Sequence, residues 1–339
     1  MNENARIAVV GVTGVVGREV VGALLEAGVP PDNVTALGTD RSEGEEIEYG
    51  SETLEIERAA PEAFRGHRAV VLAVPEQAAR MWAAAAQAAG AWVVDVSHAF
   101  REDAGVPLVL PAVNMDVLQR PFRGRVVATP SPLTAMVLST LEPLRAAFGL
   151  RRASATALFG ASSSGQRGVS ELEKQTAGLL SGREDEAEVF PHRLGFNVIP
   201  QVGAFEGPWT REERALPLEA ARIWEGRGEL PVLSATVLQV PTFYGHAVTL
   251  SIELAGRPSE DDVRAALKKS PALKVLDAPA EKIYPMPMLI TADPTVHVGR
   301  VRSVPRAPGH FELVAVVDNA GRGAALNAVE IAQALLARP

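Results

Sequence analysis

The sequence predicts an α/β protein with two domains, a doubly wound parallel sheet followed by an α+β domain. Up to about residue 128, short apolar runs alternate with helical patterns, as in parallel strands joined by crossover helices. After Pro130 the strands become longer and alternate more regularly, which is typical of a mixed or antiparallel sheet. The chain of 339 residues is also too long for one simple core.

In the first domain the pattern opens as strand, glycine-rich turn and helix, and then continues with strands around an alanine-rich helix. The predicted strands are 5–10, 34–38, 69–74 and 92–96, and the predicted helices are 14–27 and 77–89. The apolar runs are short and almost uninterrupted, as expected for strands that are covered by helices on both faces.

The second domain begins with a helix at Pro132, because proline is tolerated in the first turn of a helix. Its predicted strands are 152–160, 232–240, 247–254 and 311–317, and its further helices are 167–181 and 210–225. A last helix at about 322–337 is expected to return to the first domain. We therefore predict one domain from 1–128 together with 320–339, and another from 129–319.

Composition limits the classes of partner. With 47% hydrophobic and 22% charged residues the chain is in the range of folded globular proteins. A net charge of −8 argues against a nucleic-acid or anionic-membrane surface, although a few local arginines could still hold a small anionic ligand. No long uncharged apolar window is present, so we expect a cytoplasmic protein. The absence of cysteine excludes disulfides and thiolate metal sites, and the histidines show no zinc spacing, so no metal is expected.

The turn after the first strand reads Gly-Val-Thr-Gly-Val-Val-Gly from Gly11 to Gly17. In a strand–turn–helix context such glycines allow a tight turn, the approach of a pyrophosphate and close helix packing, while helix N-terminal amides face the anion. We therefore predict a Rossmann-like NAD(P)-binding domain, with cofactor contacts at Gly11, Thr13, Gly14, Val15 and Val16. A purely structural tight turn is the other interpretation.

After the second strand comes Thr39-Asp40-Arg41-Ser42, where the ribose of a dinucleotide would lie. An acidic residue at this place suits a 2′-hydroxyl, and an arginine suits a 2′-phosphate. Both are present, and Arg41 with Ser42 favours NADP over NAD. The alternative is a solvated turn.

Further motifs follow in a fixed order, and the chain resembles the aspartate-semialdehyde dehydrogenase family over essentially its whole length. Besides the two turns above, they are Ser97-His98-Ala99-Phe100-Arg101, the run 106–114, the run 165–172, Phe196-Asn197-Val198-Ile199-Pro200, Gly245-His246, the run 298–302, Asp318-Asn319 and the run 323–327. The resemblance implies reduction of β-aspartyl phosphate with NADPH in a homodimer. It also implies a thioacyl intermediate on a cysteine, a glutamine that orients it and a histidine acid/base.

Transferred one by one, most of the family's catalytic roles are missing from this chain. Pro132 stands at the position of the cysteine, and Phe159 at that of the glutamine. Gln239 replaces a substrate-binding arginine, and Ala215 replaces a lysine. The acid/base position is retained as His246. Two substrate-binding positions are retained as well, Arg101 and Glu212.

The cofactor loop also departs from the family pattern. Pro75-Glu76 stands where the resemblance implies Gly-Gly beside the cofactor. A negative charge and a fixed φ at that place oppose the approach of a nucleotide. We therefore expect weak NADP binding.

This set of losses resembles the Usg-type branch of the family, which keeps the fold and the dimer surface without a complete catalytic set. The main hypothesis is a dimeric pseudoenzyme. The alternative is an active NAD(P)-dependent oxidoreductase on a different aldehyde or alcohol, which needs no thioester; a subunit active only in a complex is a third.

Serine-based catalysis through Ser131 or Thr134 with His246 as base is a further option. The competing interpretation is that Ser131 caps the helix beginning at Pro132. The alternating strands at 232–254 would expose one apolar face, which we expect to form a homodimer.

Overall fold

The computed structural model describes residues 5–290, 293–319 and 324–338. The chain divides into two compact units, Met1–Ser131 with Gly323–Pro339 and Pro132–Arg322. The sequence placed the changes of domain at 128/129 and 319/320. Among the described residues, no helix is both long enough and apolar enough to cross a membrane.

The first unit is built on a seven-stranded sheet in the order β3-β4-β2-β1-β5-β6-β7. Its strands are β1 (Ile7–Val10), β2 (Val34–Gly38), β3 (Glu46–Tyr49), β4 (Glu52–Arg58), β5 (Ala69–Leu72), β6 (Trp92–Asp95) and β7 (Val126–Ala128). All neighbouring strands pair in parallel except β3 and β4, which form an antiparallel hairpin. The strands β1, β2 and β5 are buried along their whole length, which explains their unbroken apolar sequence.

The first unit also contains helices. They are α1 (Val15–Glu26), α2 (Glu76–Ala88), the short α3 (Pro111–Asn114) and the C-terminal helix Leu326–Leu336. The C-terminal helix contacts α1, β5 and β6, and its Ile331 and Leu335 are fully buried in the core of this unit. The predicted return of the last helix to the first domain agrees with this packing. Its predicted start at 322 lies outside the described residues.

The hairpin β3–β4 was not predicted. Its two strands are rich in glutamate, and only Tyr49, Leu54 and Ile56 are buried. The hydrophobic signal is therefore weak. Nevertheless β4 pairs with β2 and extends the parallel sheet beyond it.

The second unit contains a six-stranded mixed sheet in the order β11-β8-β12-β15-β14-β13. Its strands are β8 (Leu150–Phe159), β11 (Val232–Gln239), β12 (His246–Leu254), β13 (Leu273–Val275), β14 (Val296–Ser303) and β15 (His310–Val317), and a separate small hairpin is formed by β9 (Phe205–Glu206) and β10 (Trp209–Thr210). The helices are α4 (Pro132–Phe148), α5 (Gly165–Leu180), α6 (Arg211–Ile223) and α7 (Glu260–Lys268).

The two faces of this sheet differ in polarity. The helix α4 packs against β8, β12, β14 and β15, and ten of its residues are buried. On the outward side the strands carry exposed or half-buried hydroxyl residues in register: Ser154, Thr156, Ser234, Thr236, Thr249 and Ser251. The expected exposed apolar face is present only in part, because Val232 is 60% exposed on this side while the hydroxyl residues lie beside it. The helix α4 contacts β12, and α6 contacts β11. The outward side is mixed, because the hydroxyl residues lie beside an apolar cluster of Leu158, Ala247, Val314 and Val316 with Ile290.

Candidate functional site

The glycine turn lies between β1 and α1, at the carboxyl end of the parallel strands. Gly11 has a φ of +91°, and a Cβ atom there would lie 2.4 Å from the Ala73 carbonyl oxygen. At Gly17 a Cβ would lie 2.1 Å from the Gly11 carbonyl oxygen. Both glycines are thus required by the folded backbone itself.

Gly14 differs from its two neighbours. It is the N-cap of α1 with an ordinary extended φ of −77°, and an added Cβ would meet only the Gly11 carbonyl oxygen, at 3.4 Å. No side chain caps the helix. Thr13 and Gly14 are exposed, and Val15 and Val16 are half-buried, so the first-turn amides lie near the surface. The folded backbone therefore does not require glycine at position 14. A glycine there would instead leave room for an anion to approach the first-turn amides.

At the end of β2 the two residues predicted to favour NADP have different surroundings. Arg41 is exposed, whereas Ser42 is buried and its hydroxyl donates to the Thr39 carbonyl oxygen at 3.2 Å. Asp40 forms an ion pair with Arg58, with Oδ1 2.9 Å from Nε. Arg58 had no place in the sequence prediction, because its position beside β2 depends on the pairing of β4.

The Pro75-Glu76 pair begins α2. Pro75 is the N-cap residue and Glu76 is the first helical residue. A carboxylate in the first turn interacts favourably with the helix dipole, and proline suits a helix start. This local role accounts for the pair structurally, and its predicted opposition to a cofactor stays a prediction.

Arg101, the predicted phosphate-binding residue, is buried and hydrogen-bonded to main chain within the first unit. Its Nε donates to the Thr129 carbonyl oxygen at 2.9 Å, and Nη2 donates to the Val96 carbonyl oxygen at 2.8 Å. Nη1 lies 3.1 Å from Nδ1 of His98. These contacts fix the guanidinium and tie together the loops after β6 and β7.

In the second unit, three of the transferred positions lie side by side on adjacent strands. Phe159 on β8 is the register partner of Gln239 on β11 and of His246 on β12. The sheet topology therefore brings together the residues at the family's glutamine, arginine and histidine positions, although they are separated by up to 87 positions in the numbering.

His246 is buried and stacks on Phe159, with ring centroids 3.8 Å apart and planes inclined by 14°. Burial lowers the pKa of His246 to about 4, against smaller opposing effects of the Gly245 backbone and the Glu212 carboxylate. The imidazole is therefore neutral near pH 7. It lies against an apolar ring where the resemblance implies an amide.

Gln239 is also buried, and both ends of its amide are hydrogen-bonded. Nε2 donates to the carbonyl oxygens of Phe159 and Gly160, each at 2.8 Å. Oε1 accepts a hydrogen bond from the Ser163 hydroxyl at 3.0 Å. The side chain joins the end of β8 to the loop before α5, and it carries no charge with which to bind a carboxylate.

Glu212 lies in the first turn of α6, and a capping box fixes this turn. The Thr210 hydroxyl accepts from the Glu213 amide, and the Glu213 carboxylate accepts from the Thr210 amide at 2.8 Å. Glu213 also accepts from the Val237 amide on β11 at 3.2 Å. The frame that positions Glu212 near His246 is therefore anchored to the sheet, and Ala215 follows in the same helix.

Pro132 is the first residue of α4, as the sequence predicts. Ser131 and Thr134, the candidate hydroxyl nucleophiles, are both fully buried. The proline ring leaves neither a nucleophile nor a main-chain amide proton at this position.

Comparison with known proteins gives a consistent result over the whole chain. The semialdehyde dehydrogenase NAD binding domain matches residues 6–120, and the semialdehyde dehydrogenase dimerisation domain matches residues 141–321. The chain is 32% identical to aspartate-semialdehyde dehydrogenase of Bacillus subtilis, with 99% of this chain and 98% of that protein covered. The corresponding protein of Aquifex aeolicus is 31% identical, with 98% of each chain covered.

The solved structures agree with these sequence comparisons. The crystal structure of aspartate semialdehyde dehydrogenase II from Vibrio cholerae, complexed with ASA, is similar to this chain with a TM-score of 0.93 and 29% identity. The comparison covers 98% of each chain. The predicted fold class, a Rossmann-like domain joined to an α+β dimerisation domain, is confirmed.

Proposed function

Because this chain belongs to the aspartate-semialdehyde dehydrogenase family, we propose that it is a dinucleotide-binding homodimer that lacks the family's thiol-dependent reaction. The observation that carries the proposal is Pro132 at the first residue of α4, in a chain with no cysteine. Thioacyl chemistry needs a nucleophile with substantial anion content near pH 7, and cysteine is the side chain whose pKa allows it.

The residues at the family's other catalytic positions support the same conclusion. Phe159 offers no hydrogen bond to an acyl group, and the amide of Gln239 is hydrogen-bonded to the carbonyl oxygens of Phe159 and Gly160. His246, with a pKa of about 4, is a weak base. Several changes at one site argue for a different purpose more strongly than one change would. In this respect the chain is a Usg-type homologue.

The dinucleotide is NADP in this proposal, bound at Gly11, Thr13, Gly14, Val15, Val16, Arg41 and Ser42. The uncapped first turn of α1 and the lack of a side chain at Gly14 support the binding of a dinucleotide pyrophosphate. Arg41 with Ser42 favours NADP. Pro75-Glu76 opposes it, and we therefore expect a Kd above about 10 μM, or roughly −7 kcal/mol. Arg101 is proposed to bind a small anionic ligand, and Glu212 is proposed as a substrate-binding residue.

The test is phosphate-dependent oxidation of aspartate semialdehyde with NADP. We expect no turnover by the wild type and little by Pro132→Cys alone, because residues that act as a unit do not contribute additively. A variant combining Pro132→Cys, Phe159→Gln, Gln239→Arg and Ala215→Lys is expected to recover more than the single variant. Wild-type turnover within about tenfold of the median enzyme's roughly 10 per second would overturn the proposal.

Two further measurements separate the alternatives. Turnover that is abolished by Ser131→Ala would identify serine-based catalysis instead. Turnover of other aldehydes or alcohols, with no thiol or phosphate requirement, would identify an active oxidoreductase with a different substrate.

A further inference from the structure

An exposed ion pair lies at the end of the strand where the ribose of a dinucleotide would bind. Nε of Arg58 is 2.9 Å from Oδ1 of Asp40, and the two side chains are 57% and 69% exposed. Asp40 is the second residue after β2, and Arg58 is the last residue of β4.

The sheet register places both side chains at one edge. The strands β2 and β4 are parallel, and their last paired residues are Gly38 and Arg58. The pairing continues by one hydrogen bond, from the Ala59 amide to the Gly38 carbonyl oxygen at 2.9 Å. In open parallel sheets ligands bind beyond the carboxyl ends of the strands, and a dinucleotide places its adenosine ribose beyond the second strand.

Stability alone gives little reason for this pair. Ion pairs between well-exposed side chains typically contribute about 0–1 kcal/mol, because water and salt screen them and both side chains lose rotamer freedom. The pair can therefore open at small cost when another anion competes for the guanidinium.

The charges around Asp40 make the pairing relevant to the ligand. A carboxylate at this place accepts a hydrogen bond from the 2′-hydroxyl of NAD and repels the 2′-phosphate of NADP. The adjoining turn and hairpin add further carboxylates at Glu43, Glu45, Glu46, Glu48, Glu52, Glu55 and Glu57. Against these, the stretch 39–58 has only Arg41 and Arg58 as cations.

We propose that Arg58 is the residue that makes this ribose site accept a 2′-phosphate. Its guanidinium neutralises Asp40 and, together with Arg41, binds the phosphate when NADP is present. A guanidinium suits this role because it donates in a planar fork that matches phosphate oxygens. The inference rests on the proposed dinucleotide binding and assigns the choice between NADP and NAD to a residue outside the Arg41-Ser42 motif.

The experiment measures the Kd of NADPH and of NADH by fluorescence titration for the wild type and three variants. In Arg58→Ala, Asp40 loses its counter-ion, so we expect NADPH affinity to fall at least about tenfold relative to NADH, equivalent to about 1.4 kcal/mol. Adding Asp40→Ala to Arg58→Ala is expected to restore part of the NADPH affinity. Arg120→Ala is the matched control, because Arg120 forms a similar exposed pair with Asp116 at 2.9 Å on the same unit.

Each other outcome has a defined meaning. If the wild type binds both dinucleotides and Arg58→Ala leaves their affinity ratio unchanged, the inference is wrong and dinucleotide binding stands. A wild type that prefers NADH also overturns the inference, since Asp40 would then act as the ribose acceptor. If the wild type binds neither at millimolar concentration, the dinucleotide-binding part of the proposed function fails, and the inference fails with it.

Discussion

The three glycines of the turn after β1 look equivalent in the sequence, but the physical requirement for glycine differs between the three positions. Gly11 needs a positive φ and leaves no room for a Cβ beside the Ala73 carbonyl oxygen. Gly17 is excluded from having a side chain by the Gly11 carbonyl oxygen. At Gly14 neither condition applies, and this difference makes the structural and ligand-binding interpretations of the turn experimentally separable.

We expect Gly14→Ala and Gly17→Ala to affect different properties. Gly14→Ala should change the free energy of unfolding by no more than about 1 kcal/mol, the scale of an N-cap change. It should nevertheless weaken NADPH binding, because the new methyl group stands where the pyrophosphate approaches. Gly17→Ala should cost about 1–3 kcal/mol through overpacking. Urea unfolding and dinucleotide titration measure both; equal binding by wild type and Gly14→Ala would favour a purely structural turn.

His246 makes the stability of the protein depend on pH. Its pKa is 6.5 when unperturbed and about 4 in the folded protein, so the folded state binds fewer protons between these values. The free energy of unfolding is therefore unaffected by this group above pH 6.5, and it decreases as the pH falls from 6.5 towards 4. At pH 5 the loss relative to pH 7.5 is about 2 kcal/mol, at about 1.4 kcal/mol per pH unit below 6.5.

The measurement is urea unfolding at pH 7.5 and pH 5 for the wild type and for His246→Gln, which has no titrating ring. The buried His67, whose pKa is lowered by burial and by Arg6, is present in both proteins and cancels in the difference. We expect the wild type to lose more stability than the variant on acidification. The same loss in both would show that His246 is accessible to protons in the folded state.

At the level of elements, α6 matters because it carries Glu212 towards His246. Its capping box is formed by Thr210, which is fully buried, and α7 has a similar box formed by Ser259, which is exposed. A cap that is buried and tied to the sheet through Glu213 cannot be replaced by water. The cap of α7 can be replaced in this way.

We therefore expect Thr210→Ala to destabilise the protein by about 1–2 kcal/mol, at the upper end for an N-cap. Ser259→Ala is the matched control and should cost about 0.5–1 kcal/mol. Thermal and urea unfolding of both variants give the comparison. A larger loss from Ser259→Ala than from Thr210→Ala would contradict this account of how α6 is anchored.

The sequence predicts well those elements whose own residues carry a clear hydrophobic pattern. Composition and hydrophobic periodicity predict the apolar strands β1, β2 and β5 and the alanine-rich helix α2. The hairpin β3–β4 does not, because alternating glutamates leave few apolar residues in its strands. Its pairing with β2 is a long-range event, so the placement of Arg58 beside Asp40 could not be predicted.

The candidate site shows the same limit. The resemblance names Phe159, Gln239 and His246 one at a time, and their residue types already indicate lost chemistry. What the sequence does not contain is that Gln239 bridges the carbonyl oxygens of Phe159 and Gly160, or that Phe159 stacks on the imidazole. These contacts depend on the registers of three strands and on side-chain rotamers. They show that the residues at these positions contact one another and the adjacent backbone.

At the scale of the whole molecule, each compact unit has its own sheet and core, and the first unit is completed by the end of the chain. The C-terminal helix supplies Ile331 and Leu335 to the core that contains β1 and β5. The first unit therefore closes only after the second has been synthesised. On the Ser/Thr side of the second unit's sheet the hydroxyl residues Ser154, Thr156, Thr236, Thr249 and Ser251 are exposed. The family's dimerisation domain matches residues 141–321, which lie in this unit.

We expect the protein to be a homodimer formed through this hydroxyl-rich face. Thr156 on β8 and Thr249 on β12 are register partners near its centre, and both are exposed in the single chain. In a symmetric interface each would meet its counterpart's surface, so Thr156→Arg with Thr249→Arg should place four cations close together and dissociate the dimer. Thr53→Arg, at an exposed strand position of the first unit, is the control. Sedimentation at micromolar concentration should give twice the chain mass of 35.9 kDa for the wild type and the control, and the chain mass for the double variant. A monomeric wild type would exclude the homodimer, and a double variant that stays dimeric would move the interface to another surface.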